Sequence, residues 1–134
     1  AHRVAIYSDR FRAFAALATS LTNAAVPGPM TAAVSVLQVQ GIDDEIIPYD
    51  GGASPVGHTF LAAEESAALW AANAECDAEA TTTVEANGDR RLEWGGCTGD
   101  HEVVHIGLSD VGHELPSDYS GGLMNYAWEF LSQH

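Results

Sequence analysis

The chain has 134 residues, enough for one ordinary domain, and 46% hydrophobic against 18% charged residues supply a real core and exclude a disordered tail or low-complexity linker. Five basic against 19 acidic residues give a formal net charge of −14, a surface that repels phosphate backbones and argues against nucleic acid and anionic membranes as partners. All the basic residues are arginine, no apolar run approaches the ~18 residues that span a bilayer, and Ala1-His2-Arg3 does not read as a signal peptide.

In chain order, His2 to Tyr7 reads as the last turns of a helix that begins before residue 1, broken by Ser8-Asp9. Phe11 to Leu17 is short and apolar and predicts a buried strand; Pro27-Gly28-Pro29 marks a loop. Val34 to Gln40 is rich in β-branched residues and nearly continuous, as in a central strand covered on both faces. After a Gly- and Pro-containing loop, Phe60 to Asn73 predicts a helix, with Leu61, Ala68, Leu69 and Ala72 near helical spacing. Thr81 to Glu85 and Arg91 to Trp94 flank Asn87-Gly88, a hairpin signal. Glu102 to Leu108 predicts another strand, and Ser120-Gly121-Gly122 opens a closing amphipathic helix through Leu123, Tyr126, Ala127, Phe130 and Leu131. The order strand, strand, helix, hairpin, strand, helix is that of a single α/β domain over residues 1–134.

The two cysteines, Cys76 and Cys97, are too few for a closed zinc site. One bridge in a secreted domain, worth roughly 3 kcal/mol in the chain-entropy model, and two unrelated buried thiols both fit the residues. His101-Glu102-Val103-Val104-His105 matches H-E-x-x-H, the zinc-peptidase pattern that needs a helix to bring positions i and i+4 together. Its centre and flanks favour a strand, in which four residues span ~13 Å. Position 111, where a third histidine belongs, is Val111. No metal and no cofactor is expected.

Asp44 follows the strand at 34–40, and His113 follows the last strand within Val111-Gly112-His113-Glu114-Leu115-Pro116. Catalytic groups gather at the carboxyl ends of strands in open α/β sheets, and acid before histidine is the chain order of α/β-hydrolases, whose nucleophile precedes both.

Gly41-Ile42-Asp43-Asp44-Glu45-Ile46-Ile47-Pro48-Tyr49-Asp50-Gly51-Gly52 resembles the acid loop of secreted polyhydroxybutyrate-depolymerase-like and feruloyl-esterase-like α/β-hydrolases, approximately G-T-x-D-x-x-V-P-Y-x-G-G. Glu65 to Trp70 with Asn73 and Cys76 resemble that family's next helix and first disulfide cysteine, and Trp94 with Cys97 the second half of the bridge. Gly112-His113 and Pro116 resemble its G-H-x-W-P histidine loop, and Trp128 to Leu131 its terminal helix. Tyr7 to Phe11 resemble the stretch after its nucleophile helix. Ile42 and Leu115 depart from the family's small polar residue and tryptophan.

The resemblance covers the family's C-terminal half. It implies a partial α/β-hydrolase sheet flanked by helices, a Cys76–Cys97 disulfide, a secreted location and a serine esterase acting on a small ester or polyester. His113 would be its base and Asp44 the residue orienting it. The nucleophile elbow G-x-S-x-G is not in the chain: Ser8, Ser20 and Ser35 lack that setting, Ser54 precedes Pro55, Ser109 lacks the second glycine, and Ser120 reads as an N-cap. By the family's spacing the serine falls before Ala1. The expectation is therefore a C-terminal half or truncated form, with a non-catalytic module and a His101/His105 zinc peptidase as alternatives. The missing strands imply an unpaired edge at 11–17 or 34–40, to be met by a second copy, through residues 1–20, or by a companion N-terminal fragment.

Overall fold

A computed structural model describes residues 9–26 and 32–134; the helical reading of His2 to Tyr7 lies outside them. The fold is mixed α/β. Strands β1 (Ala13–Leu17), β2 (Ser35–Gly41), β5 (Thr81–Val84), β6 (Arg90–Trp94) and β7 (Val103–Leu108) form one sheet in the order β1-β2-β7-β6-β5. A separate two-stranded ribbon joins β3 (Gly52–Ala53) to β4 (Thr59–Phe60), and the described residues include two α-helices, α1 (Ala63–Asn73) and α2 (Leu123–Ser132).

The first three strands of the sheet, β1, β2 and β7, are parallel, while β6 and β5 add as an antiparallel hairpin beside β7. Side chains alternate across a strand, so β2 splits into two sets. Val36 joins Val34, Trp70, Ala67, Ala71, Trp94 and Val103 in a core beneath α1. Leu37 and Val39 join Val104, Ile106, Leu108, Leu123 and Ala127 beneath α2 on the opposite face. Every residue of β2 and β7 is buried, which accounts for their continuous apolar reading. Among the described residues β1 is an outer strand of the sheet and β2 an inner one, so of the two candidates for an edge the first lies at one there.

Helix α1 starts at Ala63, because Thr59 and Phe60 are drawn into the ribbon with Gly52 and Ala53. The face it buries also differs from the expected one. Ala63, Ser66, Ala67, Trp70 and Ala71 face the sheet, while Ala68 and Ala72 are exposed. Small residues on either side of Trp70 let the backbone approach the strands closely enough to bury the indole completely. Ser120 does not cap α2: it lies in a 3₁₀ turn at φ 50°, and Gly122 holds the N-cap position. Cys76 and Cys97 are disulfide-bonded, tying the end of α1 to the loop after β6.

Candidate active site

The parallel strands β2 and β7 end side by side, and the loops leaving them cross immediately. Ile42 N–H donates to the Leu108 carbonyl (2.8 Å) and Asp43 N–H to the Val111 carbonyl (2.9 Å). A glycine is required at the crossing: a Cβ on Gly41 would collide with the backbone carbonyls of Val111 and Gly112. The histidine loop then turns through Asp110, held at φ 56°, a left-handed conformation that aspartate tolerates better than most residues.

This crossing places the Asp44 carboxylate against His113, with Nδ1 to Oδ2 at 2.9 Å. The carboxyl side chain is fully buried, whereas the imidazole is 41% exposed. The other carboxylate oxygen, Oδ1, accepts the backbone N–H groups of Ile46 and Ile47, both at 2.8 Å. Asp44 is thus held at one oxygen by two amides of its own loop and turns the other oxygen to the ring. With Nδ1–H donating to that oxygen, Nε2 is the acceptor nitrogen and faces outward. Such an imidazole can take a proton from a hydroxyl placed before it.

The hairpin supports the histidine loop from the side. Asp89 Oδ1 accepts the Ser109 N–H at 2.8 Å, and Asn87 Nδ2 donates to the other Asp89 oxygen at 2.9 Å. Gly88 sits against Ser109, where a Cβ would crowd the hydroxyl at 2.9 Å. The Asn87-Gly88 turn therefore also buttresses the start of the loop that carries His113.

The serine hydroxyls of the described core are engaged elsewhere. Ser20 Oγ donates to the Leu61 carbonyl and Ser54 Oγ to the Ile46 carbonyl, while Ser35 Oγ accepts the Glu102 N–H and contacts His101 Nδ1 at 3.3 Å. Ser66 Oγ lies between the Leu21 N–H and Gln38 Oε1. Ser8 lies outside the described residues.

His101 and His105 are not brought onto one helical face. His105 is on β7, and its ring nitrogens contact Gln38 (Nδ1, 3.1 Å) and the Tyr49 hydroxyl (Nε2, 2.9 Å). No group of three or more metal-ligating side chains occurs among the described residues.

His105 belongs instead to a second polar network under α1. Gln38 and His105 are cross-strand neighbours, and Gln40, Gly107 and Arg90 form the next row. Gln38 Nε2 donates to the Ala63 carbonyl (2.8 Å) and Gln38 Oε1 accepts from Ser66, which fixes the amide orientation. His105 Nδ1 must then accept from Gln38 and Nε2–H donate to Tyr49, whose hydroxyl donates to Glu64 Oε1 at 3.1 Å. Arg90 Nε closes the chain on the same oxygen at 2.8 Å.

Burial drops the His105 pKa to about 4, consistent with a neutral ring, and raises that of Tyr49, which Glu64 raises further. Burial works against the Glu64 charge, but hydrogen bonds from Arg90 and Tyr49 outweigh it and keep that pKa low. Tyr49, Glu64 and Arg90 line a cavity of about 390 Å³ with Ile42, Asp50 and Ala62. The sequence signal for this network was the pair of glutamines, Gln38 and Gln40, recurring with period two inside an otherwise apolar strand.

Comparison with protein-family models, curated proteins and solved structures yields no match.

Proposed function

We propose that this chain carries the acid and the base of a serine-type carboxylic ester hydrolase that works through an acyl-enzyme, as the C-terminal half or a truncated form of an α/β-hydrolase domain. The observation that carries this reading is the Asp44–His113 contact at the ends of two adjacent parallel strands, with the carboxylate buried and the imidazole open to solvent. In this mechanism Nε2 of His113 takes the proton of the attacking hydroxyl and returns it to the leaving alkoxide. The same nitrogen then activates the water that releases the acid, while Asp44 holds the ring and stabilises the imidazolium.

The nucleophile is a serine supplied from beyond the described residues. In the proposed sheet it comes from a parallel strand laid on the outer side of β1, provided by an N-terminal segment, a companion fragment or a second copy. The substrate is a small ester or a polyester chain, and no cofactor takes part. The Cys76–Cys97 bridge supports a location outside the reducing cytosol. The zinc-peptidase alternative has less to support it, because Gln38 and Tyr49 occupy both ring nitrogens of His105.

The test is a fluorophosphonate probe, with a short-chain p-nitrophenyl ester as substrate, on the full-length gene product and its His113→Ala variant. Serine labelling and turnover that both collapse in the variant bear the reading out. A product that is neither labelled nor active is a non-catalytic module, and activity that survives His113→Ala unchanged overturns the assignment of the base.

A further inference from the structure

The polar groups under α1 meet the Asp44 loop at two side chains: Gln40, whose Nε2 donates to the Ile47 carbonyl at 2.7 Å, and Tyr49, which alone joins the loop to both β7 and α1. The Tyr49 ring lies over Gly107 of β7, where a Cβ would strike the phenol oxygen. Its hydroxyl joins His105 on β7 to Glu64 on α1, and its carbonyl accepts the Ala63 N–H at 2.7 Å. Tyr49 therefore anchors the far end of the segment whose near end crosses the histidine loop at Gly41. Between these two fixed points lie Asp44 and the amides of Ile46 and Ile47 that orient its carboxylate.

Resting on the reading of Asp44 and His113 as acid and base, we propose that Tyr49 and His105 are positioning residues that clamp the acid loop onto β7. They act through the loop backbone, since their hydrogen bonds go to Gln38, Glu64 and each other. A phenol suits the task because it is long enough to reach across Gly107 and can accept from one buried group while donating to another. The neutral His105 ring suits it because its two nitrogens differ, one accepting and one donating, so the chain from Gln38 to Glu64 has a single satisfied polarity. Reversing Gln38 or His105, both fully buried, would set donor against donor. The loop position is thus specified by a directional set of hydrogen bonds in addition to apolar packing.

The readout is the neutral tautomer of His113, followed by ring ¹⁵N NMR at neutral pH, because the partner of one ring nitrogen decides which nitrogen holds the proton. The expected result is Nδ1–H in the wild type, held there by Asp44, and a shift of population toward Nε2–H in Tyr49→Phe, which keeps the ring over Gly107 but loses the hydroxyl. Glu64→Ala, at a half-exposed helix position that tolerates alanine, should shift the population in the same direction. Glu64→Gln should restore it, since an amide oxygen still accepts from the phenol. Val34→Ala, in the core just before β2 and so at the opposite end of that strand from both loops, should destabilise the fold and leave the tautomer unchanged.

If Tyr49→Phe does not fold, the Glu64 pair decides. Folded Tyr49→Phe or Glu64→Ala protein with the wild-type tautomer overturns the clamp while leaving the hydrolase reading intact. A wild type already in the Nε2–H form overturns the clamp together with the dyad. Loss of esterase activity alone bears only on the hydrolase reading.

Discussion

Asp44 and His113 stand 69 residues apart in the chain and 2.9 Å apart in space. What joins them is the parallel pairing of β2 with β7, which ends both strands at one level and hands each loop directly to the other. The asymmetry of the pair, a fully buried carboxylate and a partly open ring, is what the proposed hydrolase would need of its orienting acid and its base.

Asp44→Asn tests the pair directly. An amide can present N–H where the carboxylate accepts, which favours the wrong histidine tautomer. Ester hydrolysis by the active assembly should fall roughly 10³–10⁴-fold. His113→Ala should fall at least as far, and the double variant little further, because triad members act as a unit. Steady-state kinetics on a chromogenic ester measure all three.

Gly41→Ala should be among the most damaging small substitutions in the chain. The added methyl meets two backbone carbonyls of the histidine loop, which cannot rotate away as a side-chain tip could. Stability should fall by about 3 kcal/mol or more, read as a lower urea midpoint. Gly52→Ala is the control: its Cβ meets nothing within 4 Å, but φ is +114°, so it carries backbone strain without collision and should cost less.

His105 makes the fold acid-sensitive. Its folded pKa, about 4, lies below the ordinary 6.5 because burial penalises the charged ring. As pH falls from 6.5 the unfolded chain takes up the proton first, so stability declines until pH reaches about 4 and the contribution then levels off. The drop amounts to about 3 kcal/mol. Urea denaturation at pH 7, 5 and 4 should show this loss in the wild type. His105→Gln should show a shallower slope, and equal slopes would refute the assignment.

Reduction of Cys76–Cys97 should lower stability by about 3 kcal/mol, the chain-entropy value for a closed loop with a sequence separation of 21. Denaturation with and without dithiothreitol measures it. The dyad lies outside this loop, so the His113 tautomer should persist in reduced protein that remains folded.

The outer side of β1 bears on assembly. Its sequence, Ala13-Phe14-Ala15-Ala16-Leu17, carries no charge, no proline and no lysine, the usual guards of an exposed edge. In sedimentation at micromolar concentration and moderate salt this chain should form a dimer or larger species, and Ala13→Lys, at a strand position that packs against neither core cluster, should shift it toward monomer. A wild type that sediments cleanly as a monomer would count against edge pairing between copies.

Periodicity and turn chemistry in the sequence were sufficient for the order of the main elements. β-branched runs marked β2 and β7, Asn87-Gly88 marked the hairpin, and Asp44 and His113 could be named from their places after strands. These are local signals, carried by residues within a few positions of one another.

The structure alone decided which side of α1 is buried, because that depends on how the sheet accommodates Trp70 rather than on the helix's own pattern. It likewise drew Phe60 out of the helix, since its strand partner is Gly52. The roles of Gly41 and Gly107 come from two carbonyls and a phenol that approach from distant parts of the chain. His105 is the sharpest instance. Its sequence neighbours spell a zinc motif, yet its partners are Gln38, 67 residues away, and Tyr49, 56 residues away. A side chain's chemistry is set by what the fold puts within 3 Å of it, and for a central strand those groups come from other elements.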